Sequence, residues 1–416
     1  MKKNCIVGQS GGPTAAINAS LAGVYTGAKA CGAPHVYGMR YGIEGLLAGN
    51  TVDLDAVFGA ENGEGERSIA LLRRTPSSFL GSCRCKLPAQ DAADAAATYD
   101  AVFARLESLD IGAFFYIGGN DSMDTIDKLS RWGARIGSSI RFVGVPKTID
   151  NDLAMTDHTP GYGSAAKFIA ASISEMLCDA TVYEVPSVTV VEIMGRDAGW
   201  LAGAAALAGA AGGPAPDLVL LPEAPFDEAA FLARLRALLA EKNGLLVAVS
   251  EGVRTADGML LCEMADSGVQ QDAFGHRAFL SGAGSWLSGR IREALGCKSR
   301  AVELSILQRC ASHLASAADL AQAERAGFAA AQAADSGESG CMIAFTREMD
   351  ADGAPVFGTK TVPIAKVANA VRSVPRAWIT PDGMNVTQEF IGYALPLIQG
   401  ELDAFWENGV PQHLHL

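Results

Sequence analysis

The stretch "PKTIDND", residues 146 to 152, brings several reactive side chains together. Lys147 supplies a cation and Thr148 a hydroxyl, and Asp150 and Asp152 follow two residues apart. In an extended segment such a spacing points both carboxylates the same way. One carboxylate could take a proton from an attacking hydroxyl while the other holds a metal or orients a basic residue. The same letters also fit an Asx-rich turn that caps a helix.

The stretch "GGNDS", residues 118 to 122, ends another apolar run. Its two glycines allow the backbone to approach an anion closely, and a following helix would offer free N–H groups. Asn120 and Asp121, however, place an amide and a negative charge where a phosphate group is expected. The presence of an acid in an anion pocket of this kind therefore requires an explanation.

Other polar residues stand at similar points of the sequence. Gly12 lies in "GQSGG", Arg196 in "MGRDAGW" and Glu251 in "SEG". A guanidinium can clamp a phosphate with two parallel hydrogen bonds, and a carboxylate accepts from sugar hydroxyls. Close strand–helix packing, a salt bridge and a turn cap are the respective structural alternatives. Arg300 and Arg309, in "SRAVELSILQR", are equally compatible with anion binding and with an exposed surface.

The elements that must position these residues alternate in type. Short β-rich runs such as "NCIVGQ", "AFFYIGG" and "LLVAVSEG" end in glycine or polar residues, and Ala-rich helical stretches follow several of them. This alternation predicts an α/β fold with parallel sheets covered on both faces. Ligands in such folds bind beyond the carboxyl ends of the strands, so strand ends that share one crevice would bring the polar side chains together.

Composition limits the possible functions. The chain has 416 residues, 49% of them hydrophobic, a net charge of −13 and a pI of about 5.0. This charge argues against nucleic acid or an anionic membrane as a partner. The nine cysteines are scattered, which favours free thiols in a cytoplasmic protein over a disulfide framework or a zinc site. The most apolar stretch, "WLAGAAALAGAAGG", is shorter than the ~20 residues of a membrane span.

Glycine turns, cations and carboxylates at strand ends are the set that phosphoryl transfer requires. The glycines admit the phosphates, the cations and a divalent metal balance their charge, and a carboxylate receives the proton of the acceptor. A dehydrogenase would instead show GxGxxG with an acid ~20 residues later, and no such spacing follows Gly12.

The motifs "SGG", "GGNDS", "PKTIDND", "MGRDAGWLA", "SEG" and "QR" occur in the order and rough spacing of the phosphofructokinase family, over about residues 4 to 345. The sequence thus resembles that family. The resemblance implies two similar three-layer parallel-sheet domains with the active site between them. It places residues 1–160 and about 308–360 in a donor-phosphate domain, and residues 161–307 and 361–416 in a sugar-phosphate domain.

The resemblance also implies reversible phosphoryl transfer to the 1-hydroxyl of fructose 6-phosphate with Mg²⁺, a step of glycolysis and gluconeogenesis. Asp150 matches the catalytic base, in one loop with Thr148 and Asp152, and Arg196 the residue that stabilises the phosphoryl group. The implied substrate contacts are Gly12 and Arg84 for the donor, Met194, Gly195, Arg196 and Glu251 for the sugar, and Arg300, Ile306 and Arg309 around the 6-phosphate. Either Arg300 or Arg309 is expected to reach into the site from a neighbouring subunit of a homodimer or homotetramer.

Two positions indicate the phosphoryl donor. ATP-dependent members of the family have glycine at the places of Asp121 and Lys147, which leaves room for the α-phosphate and the nucleoside. Members that use pyrophosphate have Asp and Lys there, as this sequence does. A carboxylate at 121 would repel an α-phosphate, and Lys147 adds a compact charge suited to free pyrophosphate. An ATP-dependent enzyme and a non-catalytic regulatory subunit that binds sugar phosphate remain the alternatives.

Three positions depart from the family pattern. Asn120 stands where most members have an Asp at the magnesium position beside Asp121, and a neutral amide oxygen would bind the ion more weakly. Ile306 stands where ATP-using members often have His, and Ser187 where some have an Arg that serves the neighbouring subunit.

Overall fold

A computed structural model describes residues 1–59, 63–93, 95–265, 282–402 and 405–416. Its strands are β1 (Asn4–Gln9), β2 (Val36–Met39), β3 (Thr51–Asp53), β4 (Ile111–Gly118), β5 (Arg141–Pro146), β6 (Ser187–Ile193), β7 (Leu218–Leu220), β8 (Gly244–Ser250), β9 (Lys298–Glu303), β10 (Cys341–Met349), β11 (Pro355–Pro363), β12 (Trp406–Glu407) and β13 (Val410–Pro411).

The helices separate most of these strands along the chain. They are α1 (Ile17–Ala30), α2 (Gly42–Leu47), α3 (Asp55–Phe58), α4 (Glu64–Arg74), α5 (Ala95–Ser108), α6 (Asn120–Ile136), α7 (Tyr162–Ala180), α8 (Trp200–Gly203), α9 (Glu228–Leu239), α10 (Ala283–Leu295), α11 (Ala317–Asp335) and α12 (Gln388–Ala394). No helix among the described residues is long and apolar enough to cross a bilayer.

Two sheets carry the fold. The larger has the order β11-β10-β5-β4-β1-β2-β3, and the smaller has the order β7-β8-β6-β9. The smaller sheet is parallel throughout, whereas β3 and β11 run antiparallel at the two edges of the larger one. The α/β fold is confirmed, and the antiparallel edges are the difference from the expected parallel sheets. The β11 edge arises because a turn of a few residues joins β10 directly to β11, which only an antiparallel pair permits.

Both sheets are covered on two faces. In β4, Phe115 and Ile117 lie in a core with α1 and α11, while Phe114 and Tyr116 lie in a core with α5 and α6. The alternation follows from the two-residue period of a strand. The smaller sheet is enclosed in the same way, by α7 and α12 on one face and by α9 and α10 on the other. Each sheet is therefore the middle of three layers, and its strand ends are held rigidly.

The larger sheet takes strands from residues 4–146 and 341–363, and the smaller sheet from residues 187–303. Phe390 and Tyr393 of α12 pack in the core of the smaller sheet, whereas the backbone N–H of Leu414 donates to Thr75 Oγ1 beside the larger one, at 2.8 Å. The chain thus crosses between the sheets more than once.

Candidate active site

A cavity of about 530 Å³ lies at the carboxyl ends of strands from both sheets. Its walls come from the segments after β1, β4, β5, β6, β8 and β9, which is where ligands bind in parallel sheets. Most of the residues singled out from the sequence line it: Gly12, Arg84, Asn120, Asp121, Lys147, Thr148, Asp150, Asp152, Met194, Arg196, Glu251, Ile306 and Arg309. Of the residues predicted for the site, Gly195 and Arg300 do not line it, and neither does Ser187 at the start of β6.

Lys147 follows β5 and crosses to the glycine turn after β1. Its Nζ donates to the backbone oxygens of Ser10 at 3.0 Å and Gly12 at 2.6 Å, and only 2% of the residue is exposed. Gly11 turns the chain there with a φ of 76°, a conformation that glycine adopts without strain. Burial lowers the pKa of Lys147 to about 8, although Asp150 acts in the opposite direction.

Asp150 and Asp152 both reach the cavity, but not from an extended segment. The chain bends there, and Asn151 between them has a left-handed φ of 54°. The Asp150 N–H donates to Thr148 Oγ1 at 3.1 Å, which closes the first bend. Burial raises the pKa of Asp150, and burial together with the Asp150 charge raises the pKa of Asp152 to about 7. A carboxyl group with a pKa near 7, as in Asp152, can exchange protons near neutral pH.

The turn after β6 is fixed by three neighbours. Gln308 Oε1 accepts from the Met194 N–H and Glu251 Oε1 from the Gly195 N–H, both at 3.2 Å, while the Ser250 hydroxyl donates to the Gly195 oxygen at 2.5 Å. Gly195 has a φ of 129°, and a Cβ there would lie 2.7 Å from a backbone oxygen. Gly195 therefore shapes the turn without lining the cavity. Burial raises the pKa of Glu251 to about 7.

The first turn of α6 forms another wall. A helix begins with unpaired backbone N–H groups, which favour anions. Asp121 is exposed at this end. The side-chain oxygen Oδ1 of Asn120 is buried and has no hydrogen-bond partner among the described residues. A buried oxygen in that state is suited to a ligand that arrives later, such as a cation.

Arg300 and Arg309, the two arginines near β9, lie in different places. Arg309 lies in the cavity, where a Cβ added to Gly12 would be 3.6 Å from its Nη1, so its guanidinium lies beside the glycine turn. Arg300 lies on β9, an edge strand, and donates to Asp179 Oδ2 at 2.6 Å and to Thr189 Oγ1 at 3.2 Å. Ile306 lines the cavity and is about half exposed. Within one chain, the structure does not bring Arg300 to the cavity.

Sequence reasoning missed two buried residues of the site. Glu192 lines the cavity, and its Oε2 accepts from the N–H groups of Gly284 at 2.8 Å and Gly282 at 3.2 Å. Burial raises its pKa. The signal was present, because a single acid interrupts the apolar run of β6. Asn151 was passed over because an amide between two acids carries no charge of its own.

Known proteins resemble this chain over nearly its whole length. Residues 4–334 match the family described as phosphofructokinase. A pyrophosphate–fructose 6-phosphate 1-phosphotransferase of Xanthomonas campestris is 40% identical, over 99% of this chain and 96% of that protein. One of the same name from Halomonas elongata is also 40% identical, over 98% and 95%. The crystal structure of a pyrophosphate-dependent phosphofructokinase from Nitrosospira multiformis superposes with a TM-score of 0.86 at 35% identity, covering 99% of this chain and 95% of that one.

Proposed function

The chain belongs to the phosphofructokinase family, and from that premise we propose how its cavity transfers a phosphoryl group from pyrophosphate to fructose 6-phosphate. The reaction is reversible and gives fructose 1,6-bisphosphate and phosphate. The observation that carries the choice of donor is the position of Lys147, whose ammonium lies against the glycine turn after β1. A phosphate chain that reached past this turn would meet the lysine.

Lys147 and Asp121 together select the donor. Pyrophosphate has no group at the position of an α-phosphate. The buried Lys147 ammonium can therefore bind its terminal oxygens without blocking any part of the donor. A nucleotide would have to displace Lys147 from two backbone oxygens and approach the Asp121 carboxylate, which repels a third phosphate. We therefore propose pyrophosphate, the smaller molecule, as the donor in place of ATP.

The loop after β5 carries the residue that activates the acceptor hydroxyl. The 1-hydroxyl oxygen of the sugar attacks the terminal phosphorus, the bond from that phosphorus to the bridging oxygen breaks, and phosphate leaves. Asp150 takes the hydroxyl proton, and burial, which raises the pKa of this carboxyl group, makes it a stronger base than an exposed aspartate. Arg196 stabilises the transferred group, Glu251 orients the sugar hydroxyls, and Thr148 and Asp152 complete the loop.

A divalent metal belongs to this class of reaction, and we assign it as Mg²⁺. The residues present fit the ion, because the buried Asn120 oxygen has no other partner in the described structure and Asp121 adjoins it. When bound, Mg²⁺ would neutralise phosphate charge. With one carboxylate and one amide as its donors, the protein would hold the ion loosely.

Asn120→Asp is expected to bind Mg²⁺ more tightly, by about tenfold, because a second carboxylate adds charge to the site. Calorimetric titration of Mg²⁺ into the protein with pyrophosphate present measures the affinity without relying on turnover. Asn120→Ala is the matched control and should weaken binding. Equal affinity in all three proteins would remove Asn120 from the metal site.

The pH dependence of pyrophosphate use should report on Lys147. The ammonium is charged below its pKa of about 8 and neutral above it, so binding of the anion is present below that pH and lost above it. We expect kcat/KM for pyrophosphate to fall about tenfold per pH unit on this alkaline limb. Lys147→Arg stays charged and should lack the limb. A profile for the native protein that is flat to pH 10 would contradict the assignment.

We also propose a domain division, an oligomeric state and a cellular location. The domain division at residues 1–160 with 308–360, and 161–307 with 361–416, is supported by the strands, because those of the larger sheet come from residues 4–146 and 341–363 and those of the smaller sheet from residues 187–303. A homodimer or homotetramer is supported by Arg300, which lies exposed on an edge strand where it could serve a neighbouring cavity. A cytoplasmic location is supported by nine free thiols.

The experiment that tests the function uses the purified chain alone. Phosphate should be released from pyrophosphate only when fructose 6-phosphate is present, and pyrophosphate should form from fructose 1,6-bisphosphate and phosphate. Binding of the sugar phosphate without turnover in either direction would instead indicate a non-catalytic subunit.

A further inference from the structure

The loop that carries Asp150 and Asp152 depends on a residue far away in the sequence. Asn151 is fully buried with a φ of 54°. Asparagine tolerates this left-handed conformation better than most residues, but it still costs about 1 kcal/mol and needs neighbours to hold it. If Asn151 returned to an ordinary conformation, the two flanking carboxylates would turn relative to one another. Whatever holds Asn151 therefore also aims the acids.

Three hydrogen bonds hold the Asn151 side chain. Its Oδ1 accepts from the Thr159 N–H at 3.0 Å and from the Thr159 hydroxyl at 3.4 Å, within the same loop. Its Nδ2 donates to the hydroxyl of Tyr393, at 2.8 Å and 242 positions away. The Tyr393 hydroxyl in turn donates to the backbone oxygen of Asp157 at 2.7 Å. Tyr393 therefore joins the outgoing and the returning arm of the loop.

Tyr393 is itself rigid. It lies on α12 and is 6% exposed, with its ring centroid 5.1 Å from that of Trp200 and 5.3 Å from that of Trp378. The Arg347 guanidinium lies over the same ring, 4.5 Å from its centroid. A hydroxyl carried by such a tightly packed ring can fix the position of its hydrogen-bond partners. The family match ends at residue 334, so this support comes from the segment that follows it.

We propose that Tyr393 is a positioning residue, whose hydroxyl holds Asn151 in the left-handed conformation and so aims Asp150 and Asp152 into the cavity. The residue touches no substrate. It acts on the chemical step through the base, and substrate binding at the other walls of the cavity should not depend on it. This inference rests on the proposed function and adds a residue to its machinery.

Tyr393→Phe removes only the hydroxyl. We expect kcat to fall about 10- to 100-fold, the scale of a misplaced catalytic group, while the Kd of fructose 6-phosphate changes less than about twofold. Tyr162→Phe is the matched control, because Tyr162 is also buried and its hydroxyl donates to the backbone oxygen of Trp200 at 3.2 Å, not to a residue of the loop. Both variants should lose some thermal stability, but only the first should lose kcat.

A double-mutant cycle gives the second measurement. Asn151→Gly keeps access to the left-handed conformation but breaks the same hydrogen bond from its other end. It should lower kcat by itself, and adding Tyr393→Phe should then change kcat less than about twofold. If Tyr393→Phe does not fold, the kcat and Kd of Asn151→Gly decide alone: unchanged kcat would overturn the proposal.

Other results would overturn it equally. Tyr393→Phe that retains native kcat, a loss shared by Tyr162→Phe, or independent effects that multiply in the cycle would each do so. Failure of the native protein to use pyrophosphate would be a different result, since it removes the proposed function itself. A crystal structure of Tyr393→Phe, in which Asn151 should leave its left-handed conformation, needs no activity at all.

Discussion

Asp150→Asn should lower kcat by about 10²- to 10⁴-fold while fructose 6-phosphate still binds. The amide keeps the shape of the carboxylate but cannot accept the proton of the 1-hydroxyl. Asp150 lines the cavity at the bend after β5, and burial raises its pKa. Steady-state kcat and a calorimetric Kd for the sugar phosphate measure the two effects separately.

Asp127→Asn is the matched control for this variant. Asp127 is also largely buried, burial raises its pKa too, and it pairs with Arg131 at 2.9 Å on α6, outside the cavity. The control should lose stability but keep its turnover. A rate for Asp150→Asn within about threefold of the native rate would remove Asp150 as the base.

The second large effect concerns the donor. The double variant Asp121→Gly with Lys147→Gly should lose about 10- to 100-fold in kcat/KM for pyrophosphate, because contacts of a charged group contribute about 1.5–3 kcal/mol. The same change removes the ammonium from the glycine turn and the carboxylate from the start of α6. The space beside Gly11 and Gly12 then opens, and ATP should begin to serve as a donor.

A lysine outside the cavity controls for the loss of a buried cation. Lys128 is partly buried on α6, where it donates to the backbone oxygen of Leu87 at 2.9 Å and to Asp124 at 2.6 Å. Lys128→Gly should lower stability without changing the ratio of pyrophosphate to ATP use. An unchanged ratio in the double variant would show that Asp121 and Lys147 do not select the donor.

The acid loop shows how far the sequence could predict the site. The spacing of Asp150 and Asp152 indicated that both carboxylates face one crevice, and both line the cavity. The spacing argument assumed an extended backbone, whereas the chain bends there and Asn151 is left-handed. Part of the support for this bend comes from Tyr393 on a distant helix, which no local pattern indicates. Long-range contacts of this kind decide local conformation but leave no periodic signal.

The sheets and the arginines show the same limit. Alternating apolar and Ala-rich segments were enough to predict an α/β fold with strand ends that converge, because burial on both faces requires apolar strands. The antiparallel β11 was not predicted, since strand direction depends on how the next strand pairs. Arg300 and Arg309 were indistinguishable in sequence, yet β9 places Arg300 on an exposed edge while the turn after it carries Arg309 into the cavity.

The most direct test of the account is a comparison of donors with the purified native protein, Mg²⁺ and fructose 6-phosphate. The buried Lys147 against the glycine turn and the carboxylate at Asp121 predict rapid formation of fructose 1,6-bisphosphate from pyrophosphate and little or none from ATP. Turnover with ATP and none with pyrophosphate would contradict the central claim.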